Sequence, residues 1–344
     1  MAAYTTIDDS EAYFQVKLYT GNAADGSSTT QAITFSGEND MQPDLIWIKH
    51  RSGTNNHLAT DAVRGTNKLL YPDLNNAENT ATTHITAFGS NGFTVGPDGV
   101  VNAENQTYVA WCWKESATSG VDVVSFTGND TARTISHSLS AVPQVMIIKN
   151  RERTTNWLMY HKEKSSAPET DYLELNGTPA VVDYPFWNDT SPTSSVFSVG
   201  SDAVVNKDGE GIITYLFTEK QGFSKFGSYT GNGNADGAFV WTGFKPAFIL
   251  IKNASATSDW NMRDSKRGDW PPGNPRQWIL LANTSAAETT SATYAIDLLS
   301  NGFKARATIN NENTSGHLYV YMAFAESPFV NSEGVPTTCL LYTS

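Results

Sequence analysis

The sequence predicts an all-β chain built from three tandem β-sandwich repeats. Three observations lead there. An apolar run that opens near a proline and closes on a lysine six residues later occurs three times, as MQPDLIWIKHR (41–51), VPQVMIIKNR and KPAFILIKNA. Its prolines, Pro43, Pro143 and Pro246, lie 100 and 103 residues apart, a spacing that suits a small domain. Short runs of β-branched and aromatic residues bounded by Gly, Asn, Pro and Asp dominate the chain, and few long stretches keep a helical period. The expected units are of the jelly-roll or lectin-like kind.

Taken in order, residues 1–13 form an N-terminal arm and a possible anchor. Repeats follow over 14–116, 121–220 and 222–327, and 328–344 is a C-terminal tail. Each repeat opens on an aromatic residue followed by Thr-Gly-Asn, at Tyr19, Phe126 and Tyr229. That reads as a strand running into a turn, because Gly and Asn tolerate positive φ. Proline has no N–H for a ladder and suits the beginning of a strand. LIWI and VMII are apolar at successive positions, as strands buried on both faces are. Lys49, Lys149 and Lys252 would then mark where each strand emerges into solvent.

A second set of signals follows each lysine. HLATDAVRG, WLMYHKEK and WNMRDSKRG align, so His57 should fill the packing position of Trp157 and Trp260. Asp61 with Arg64, and Asp264 with Arg267, are spaced to brace a turn. TDAVRGTNKLL and YAIDLL are the candidates for short helices. Ser-Asn-Gly-Phe at 90–93 and 300–303 predicts hairpins, which the middle repeat lacks because it carries Ser195-Val196-Phe197 there. The repeats close on aromatic strands ending in Glu115, Glu219 and Glu326.

Bulk properties narrow the function. At 344 residues the chain exceeds one ordinary core, and charged residues make up only 17% of it, so the surface is expected to be largely uncharged Thr, Ser, Asn and Gly. A net charge of −12 repels nucleic acid, which argues against that partner. The N-terminus has neither a basic nor an apolar leader segment, and no apolar run approaches a membrane span, so a soluble protein made in a cytoplasm is expected. Cys112 and Cys339 fit neither a metal site nor a disulfide framework, and read as a buried thiol and a tail thiol.

The combination FQVKLYTGN, QPDLIWIKHRS, DAVRGTNKLL, SNGFTVG with Asn102, YVAWCWK, PTSSVFSVGS, EKQGFSKFGSYTGNGNADGAFVWTGFKPAFILIKN and MAFAESPFVNSEGVP resembles a family of repeat-containing virion structural proteins, tail-fibre-like, from mostly marine tailed bacteriophages. The likeness spans residues 1–336, and TTCLLYTS departs from the basic-ended tail of that family. It implies a virion component and supplies no catalytic residues.

No catalytic residue, cofactor or metal is expected. A glutamate that recurs at the same strand end of every repeat serves the fold more naturally than one active site. The loops 22–28 and 232–238, alternating Asn, Asp and Gly, fit tight turns better than a calcium loop. Where the repeat is interrupted, DYPFWNDTSP and RGDWPPGNPRQW place Tyr184, Trp187, Trp270 and Trp278 beside polar neighbours, as a glycan platform or a partner contact would. The expected function is a non-enzymatic protein of the phage exterior, a tail-fibre or receptor-binding component adhering to host-surface glycan. Its partners would be other virion proteins, with a homotrimer as one possible assembly. The alternatives are a capsid decoration or head-fibre protein, whose three units imitate a trimer at a local threefold, and a glycan-degrading tailspike.

Overall fold

A computed structural model describes residues 6–268 and 273–327. Regular structure in them is almost all β, with two four-residue α-helical turns and two 3-10 turns, so the all-β expectation holds.

Three large sheets share one strand order. In the first, Phe14–Thr20 lies beside Thr107–Trp113, then Leu45–His50, then Leu58–Asp61. In the second the order is Val121–Thr127, Gly211–Phe217, Val145–Asn150, Leu158–His161, Asp171–Glu174 and Val182–Asp183. In the third it is Ser224–Thr230, Leu318–Ser327, Lys245–Asn253, Trp260–Asp264, Trp278–Leu281 and Thr289–Thr290. Each opening strand pairs antiparallel with the closing strand of its own segment, Phe14 opposite Trp113, Val121 opposite Phe217 and Ser224 opposite Phe324. Smaller sheets accompany them: Gln31–Thr34 with Gly92–Val95 and Ile85–Gly89, Arg133–Ser136 with Val196–Val199, and Phe239–Trp241 with Gly302–Ala305 and Ile296–Leu299.

The apolar runs are buried along their whole length because alternate residues serve two different cores. Ile46 and Ile48 join Ile33, Phe93 and Val95 of the first small sheet. Met146 and Ile148 join Ile135, Phe197 and Val199, and Ile249 and Ile251 join Val240, Leu298 and Phe303. The intervening residues, Leu45, Trp47, Val145, Ile147, Phe248 and Leu250, enter one cluster drawn from all three segments. At its centre Trp113, Phe217 and Phe324, which hold the same place in the three closing strands, meet pairwise with ring centroids 6.4, 5.7 and 6.1 Å apart. Each such ring contributes roughly 1.5–3 kcal/mol through burial. The void beside them is only about 30 Å³, so the centre is a filled core.

Several expectations change here. Lys49, Lys149 and Lys252 do not emerge into solvent; all three are fully buried. Pro43 and Pro143 stand two residues before their strands, whereas Pro246 is the second residue of its strand, where the register shifts on both sides. The stretch after Asp61 is a turn leading to the short strand Lys68–Leu69, and YAIDLL is the end of a 3-10 turn followed by a strand. Both Asn-Gly hairpins form, with Gly89 opposite Gly92 and Leu299 opposite Gly302. Within the expected N-terminal arm, Ile7 is buried in the shared core and Tyr13 packs edge-on against Phe223.

The glycines of the Thr-Gly-Asn turns are required by close approach, not by positive φ. A Cβ on Gly21, Gly128 or Gly231 would sit 2.1–2.2 Å from the carbonyl oxygen of Ala103, Lys207 or Thr314. The following backbone N–H groups, of Asn22, Asn129 and Asn232, donate to the side-chain oxygens of Asn102, Asn206 and Asn313 at 2.9, 3.1 and 2.9 Å.

Candidate functional site

Several buried polar side chains among the described residues meet in the contacts between segments. There the same atoms meet three times in a closed circuit. The backbone N–H of Glu78 donates to Arg151 O at 2.6 Å, that of Val181 to Ala254 O at 3.0 Å, and that of Glu288 to Arg51 O at 2.8 Å. Beside these bonds Trp157 Nε1 donates to Tyr71 O at 3.0 Å, Trp260 Nε1 to Glu174 O at 2.7 Å, and His57 Nε2 to Leu281 O at 3.0 Å. The second segment thus holds the first, the third holds the second, and the first holds the third. His57 does fill the position of the two tryptophans. Burial lowers its pKa to about 3, with Lys49 adding to the effect, so the ring is neutral.

The buried lysines belong to the same seams. Lys149 Nζ donates to Asn75 O at 3.3 Å across the seam and to Arg153 O at 2.9 Å within its own segment. Lys252 Nζ donates to Thr178 O at 2.8 Å across the next seam and also to Ser258 O. Lys49 instead bonds His50 O and Gly53 O of its own segment. Desolvation by burial lowers their pKa values to about 7 for Lys149 and about 8 for Lys49 and Lys252.

The Asp-x-x-Arg pairs brace their turns as expected, and also reach a neighbouring segment. Arg64 and Arg267 each donate Nε to the carboxylate three residues earlier at 2.5 Å, and those carboxylates accept further bonds from Tyr215 Oη at 2.7 Å and Trp111 Nε1 at 3.1 Å. Tyr215 and Trp111 occupy one position of the closing strand; Met322 occupies it in the third segment and has no such donor. Opposite that methionine strand the second segment carries His161 and Lys164 in place of Asp and Arg, and His161 Nε2 bonds Tyr321 O at 3.1 Å. Where the donor is missing, so is the carboxylate. Glu78 and Glu288 complete the network, bonding Arg151 with Arg64 and Arg51 with Arg267.

The recurring glutamates join successive segments. Glu115 accepts from Val123 N at 3.3 Å, and Glu219 accepts from Phe226 N at 2.8 Å; the side chain of Glu326 lies outside the described residues. Burial, then a hydrogen bond with Asp122, raises the Glu115 carboxyl to about 7. In the 232–238 loop, Asn232 and Asn234 cap backbone N–H groups and Asp236 pairs with Lys304 and Arg306, the bonding of a tight turn.

Three of the four aromatic residues singled out from the sequence lie among the described residues, and they differ in exposure and in partners. Trp187 is 0% exposed, donates Nε1 to Asp171 O at 2.9 Å and packs edge-on against Tyr160. Tyr184 is exposed and bonds Asp202 at 2.7 Å. Trp278 begins a strand of the third large sheet, half-buried, and Trp270 lies outside the described residues. Sequence reasoning missed a different ring. Trp241 is 56% exposed and Phe239, two residues earlier on the same edge strand, is 47% exposed, with Val240 buried between them. The alternation in Phe-Val-Trp was the available signal.

Trp241 lines a cleft of about 330 Å³ between the second and third segments, with Gln144, Glu219, Gln221, Lys225 and Thr242. A second concavity, of about 610 Å³ between the first two segments, is lined by Asn56, Asn76, Asn79 and Thr154, with Tyr71 as its ring. Among the described residues no cluster of His, Cys, Asp and Glu suits a metal ion, and no helix is long and apolar enough to cross a membrane.

Comparison with known families finds a match over residues 9–328 to the family described as "domain of unknown function (DUF7483)", and the chain belongs to that family. No curated protein matches it.

Proposed function

We propose that this member of the DUF7483 family is a non-enzymatic structural protein on the exterior of a tailed bacteriophage, working as a tail-fibre or receptor-binding component that adheres to host-surface glycan. The observation that carries this reading is the fate of the reactive side chains. Lys149, Lys252, His57, His161, Arg64 and Arg267 are engaged in the seams between segments, and charged residues make up only 17% of the chain.

The architecture we infer is three tandem β-sandwiches of the jelly-roll or lectin-like kind, over 14–116, 121–220 and 222–327, closed about a pseudo-threefold axis at Trp113, Phe217 and Phe324. The shared strand order and the three-part circuit of bonds support it. Turn loops on such a body vary without disturbing the core, which suits recognition. Other virion proteins are its anchoring partners, and the virion is its location. Because one chain supplies all three units, a homotrimer is not needed to create threefold symmetry.

The threefold closure also favours a second reading, a capsid decoration protein seated at a local threefold of the shell. Antibody raised against the chain and applied to intact particles that carry its gene separates the two. Label on tails or fibres is the expected result. Label on capsid faces selects the second reading, and absence of label from particles sinks both.

A further inference from the structure

We infer that the cleft between the second and third segments, with Trp241 in its lining, is a binding site for a neutral saccharide unit, a hexose or N-acetylhexosamine. The inference rests on the adhesive reading above and gives it a place and a ligand class.

The ring of Trp241 is held for this use. It lies over Gly243, where a Cβ would come within 3.1–3.2 Å of Cζ2 and Cη2 of the indole, and Gly243 has φ of +86°. A side chain at residue 243 would therefore be strained and would displace the ring. The turn beneath is pinned twice, since the N–H groups of Thr242 and Gly243 both donate to Asn301 O, at 3.0 and 3.2 Å, and Thr242 Oγ1 donates to Phe244 O at 2.6 Å. One indole edge thus lies against backbone while the residue stays 56% exposed, which lowers the ordering needed on binding.

The rim supplies hydroxyl partners and little net charge. Gln144 lines the cleft and uses its side-chain carbonyl oxygen to accept from Glu219 N at 2.8 Å, so its amide N–H groups are the part left for a ligand. Gln221 is exposed with both amide functions available to a ligand. Glu219 is offset by Lys225 at 3.2 Å and Lys162 at 3.4 Å, so the carboxylate is neutralised locally. A ring face flanked by amides is complementary to the C–H face and hydroxyl edge of a sugar. An anionic sugar would meet a balanced rim on a chain of net charge −12. A protein partner would want a broader apolar centre than Trp241 and its exposed neighbour Phe239 offer beside polar groups.

The test measures binding of the full-length chain to an immobilised panel of neutral and acidic oligosaccharides, alongside adsorption of the labelled chain to the bacteria that propagate the phage. Trp241→Ala should lose at least tenfold in affinity for the neutral probes while unfolding at the same temperature as wild type. Trp241→Tyr, which keeps a ring, should stay within about threefold. Wild-type binding that Trp241→Ala leaves intact would overturn the cleft assignment and leave adhesion standing. So would adsorption to cells with no neutral probe bound, preference for acidic probes, or a Trp241→Ala defect confined to capture of another virion protein. Neutral probes bound through Trp241 by a chain that never adsorbs to those cells would overturn the adhesive reading and keep the site.

Discussion

Nε1 of Trp47 donates to Nδ1 of His57 at 2.8 Å, and the same imidazole passes its other nitrogen across the seam to Leu281 O. Trp47 aligns with Ile147 and Leu250, and His57 aligns with Trp157 and Trp260. The first segment has therefore exchanged its large and small residues between neighbouring strands while keeping the seam bond.

That exchange predicts strong coupling. Trp47→Ile alone should destabilise by about 2–4 kcal/mol through cavity formation and an orphaned imidazole nitrogen, and His57→Trp alone by about 1–3 kcal/mol through overpacking. The double variant reproduces the arrangement of the other segments and should recover most of the loss. A urea double-mutant cycle checks this, and additive losses would refute the equivalence.

Asp61 and Arg64 are both buried side chains, and Tyr215 binds the same carboxylate oxygen from the second segment. Asp61→Ala leaves the guanidinium buried with only Glu78 as a charged partner and should cost about 3–5 kcal/mol, whereas Tyr215→Phe removes one hydroxyl, which donates to Asp61 and accepts from Arg64, and should cost about 1–2 kcal/mol. Thermal or denaturant unfolding gives both numbers; equal losses would mean that the carboxylate does not hold the arginine.

The lysines make stability depend on alkaline pH. Lys149 and Lys164 titrate at about 7 in the fold, and Lys49 and Lys252 at about 8. Unfolded lysine titrates near about 10.4, so between those values the unfolded chain binds more protons and stability rises with pH. Above about pH 10 the sign reverses, because unfolded tyrosines ionise while burial holds Tyr19, Tyr215 and Tyr229 protonated. Lys149→Met should flatten the rise between pH 7 and 10 by up to about 1.4 kcal/mol per pH unit. An unchanged slope in that variant would remove Lys149 from the account.

Gly128 tests close approach against backbone strain. Gly128→Ala drives a Cβ into Lys207 O and should cost more than Gly26→Ala, where φ is +72° but nothing lies within 4 Å. The latter should lose about 1–2 kcal/mol from the left-handed conformation alone. Reversed order in chemical unfolding would contradict the packing argument.

What the sequence disclosed was what local pattern encodes. Strands, hairpins at Asn91-Gly92 and Asn301-Gly302, turn braces at Asp61 and Asp264, and the packing role of His57 all follow from residue type and spacing. The burial of Lys149 and Lys252 does not, since the carbonyls that receive them, Asn75 O and Thr178 O, belong to the preceding segment. A lysine at the end of an apolar run looks like a surface residue until its neighbour is known. The burial of Trp187 and the exposure of Trp241 are hidden in the sequence for the same reason. Trp187 sits in a polar-looking loop that folds over its own core, and Trp241 sits in a strand whose outer face nothing in the described residues covers.

The circuit of three has two joints crossed by peptide, at 114–120 and 218–223, and a third where the last segment meets the first through side chains and hydrogen bonds. That third joint carries Arg51, Glu288, Arg267, Asp264 and Trp111 in one bonded network, and Phe14 stacks on Phe324 at 5.0 Å. It is a clasp made without peptide: under pulling force this joint should part before the two that the chain itself crosses.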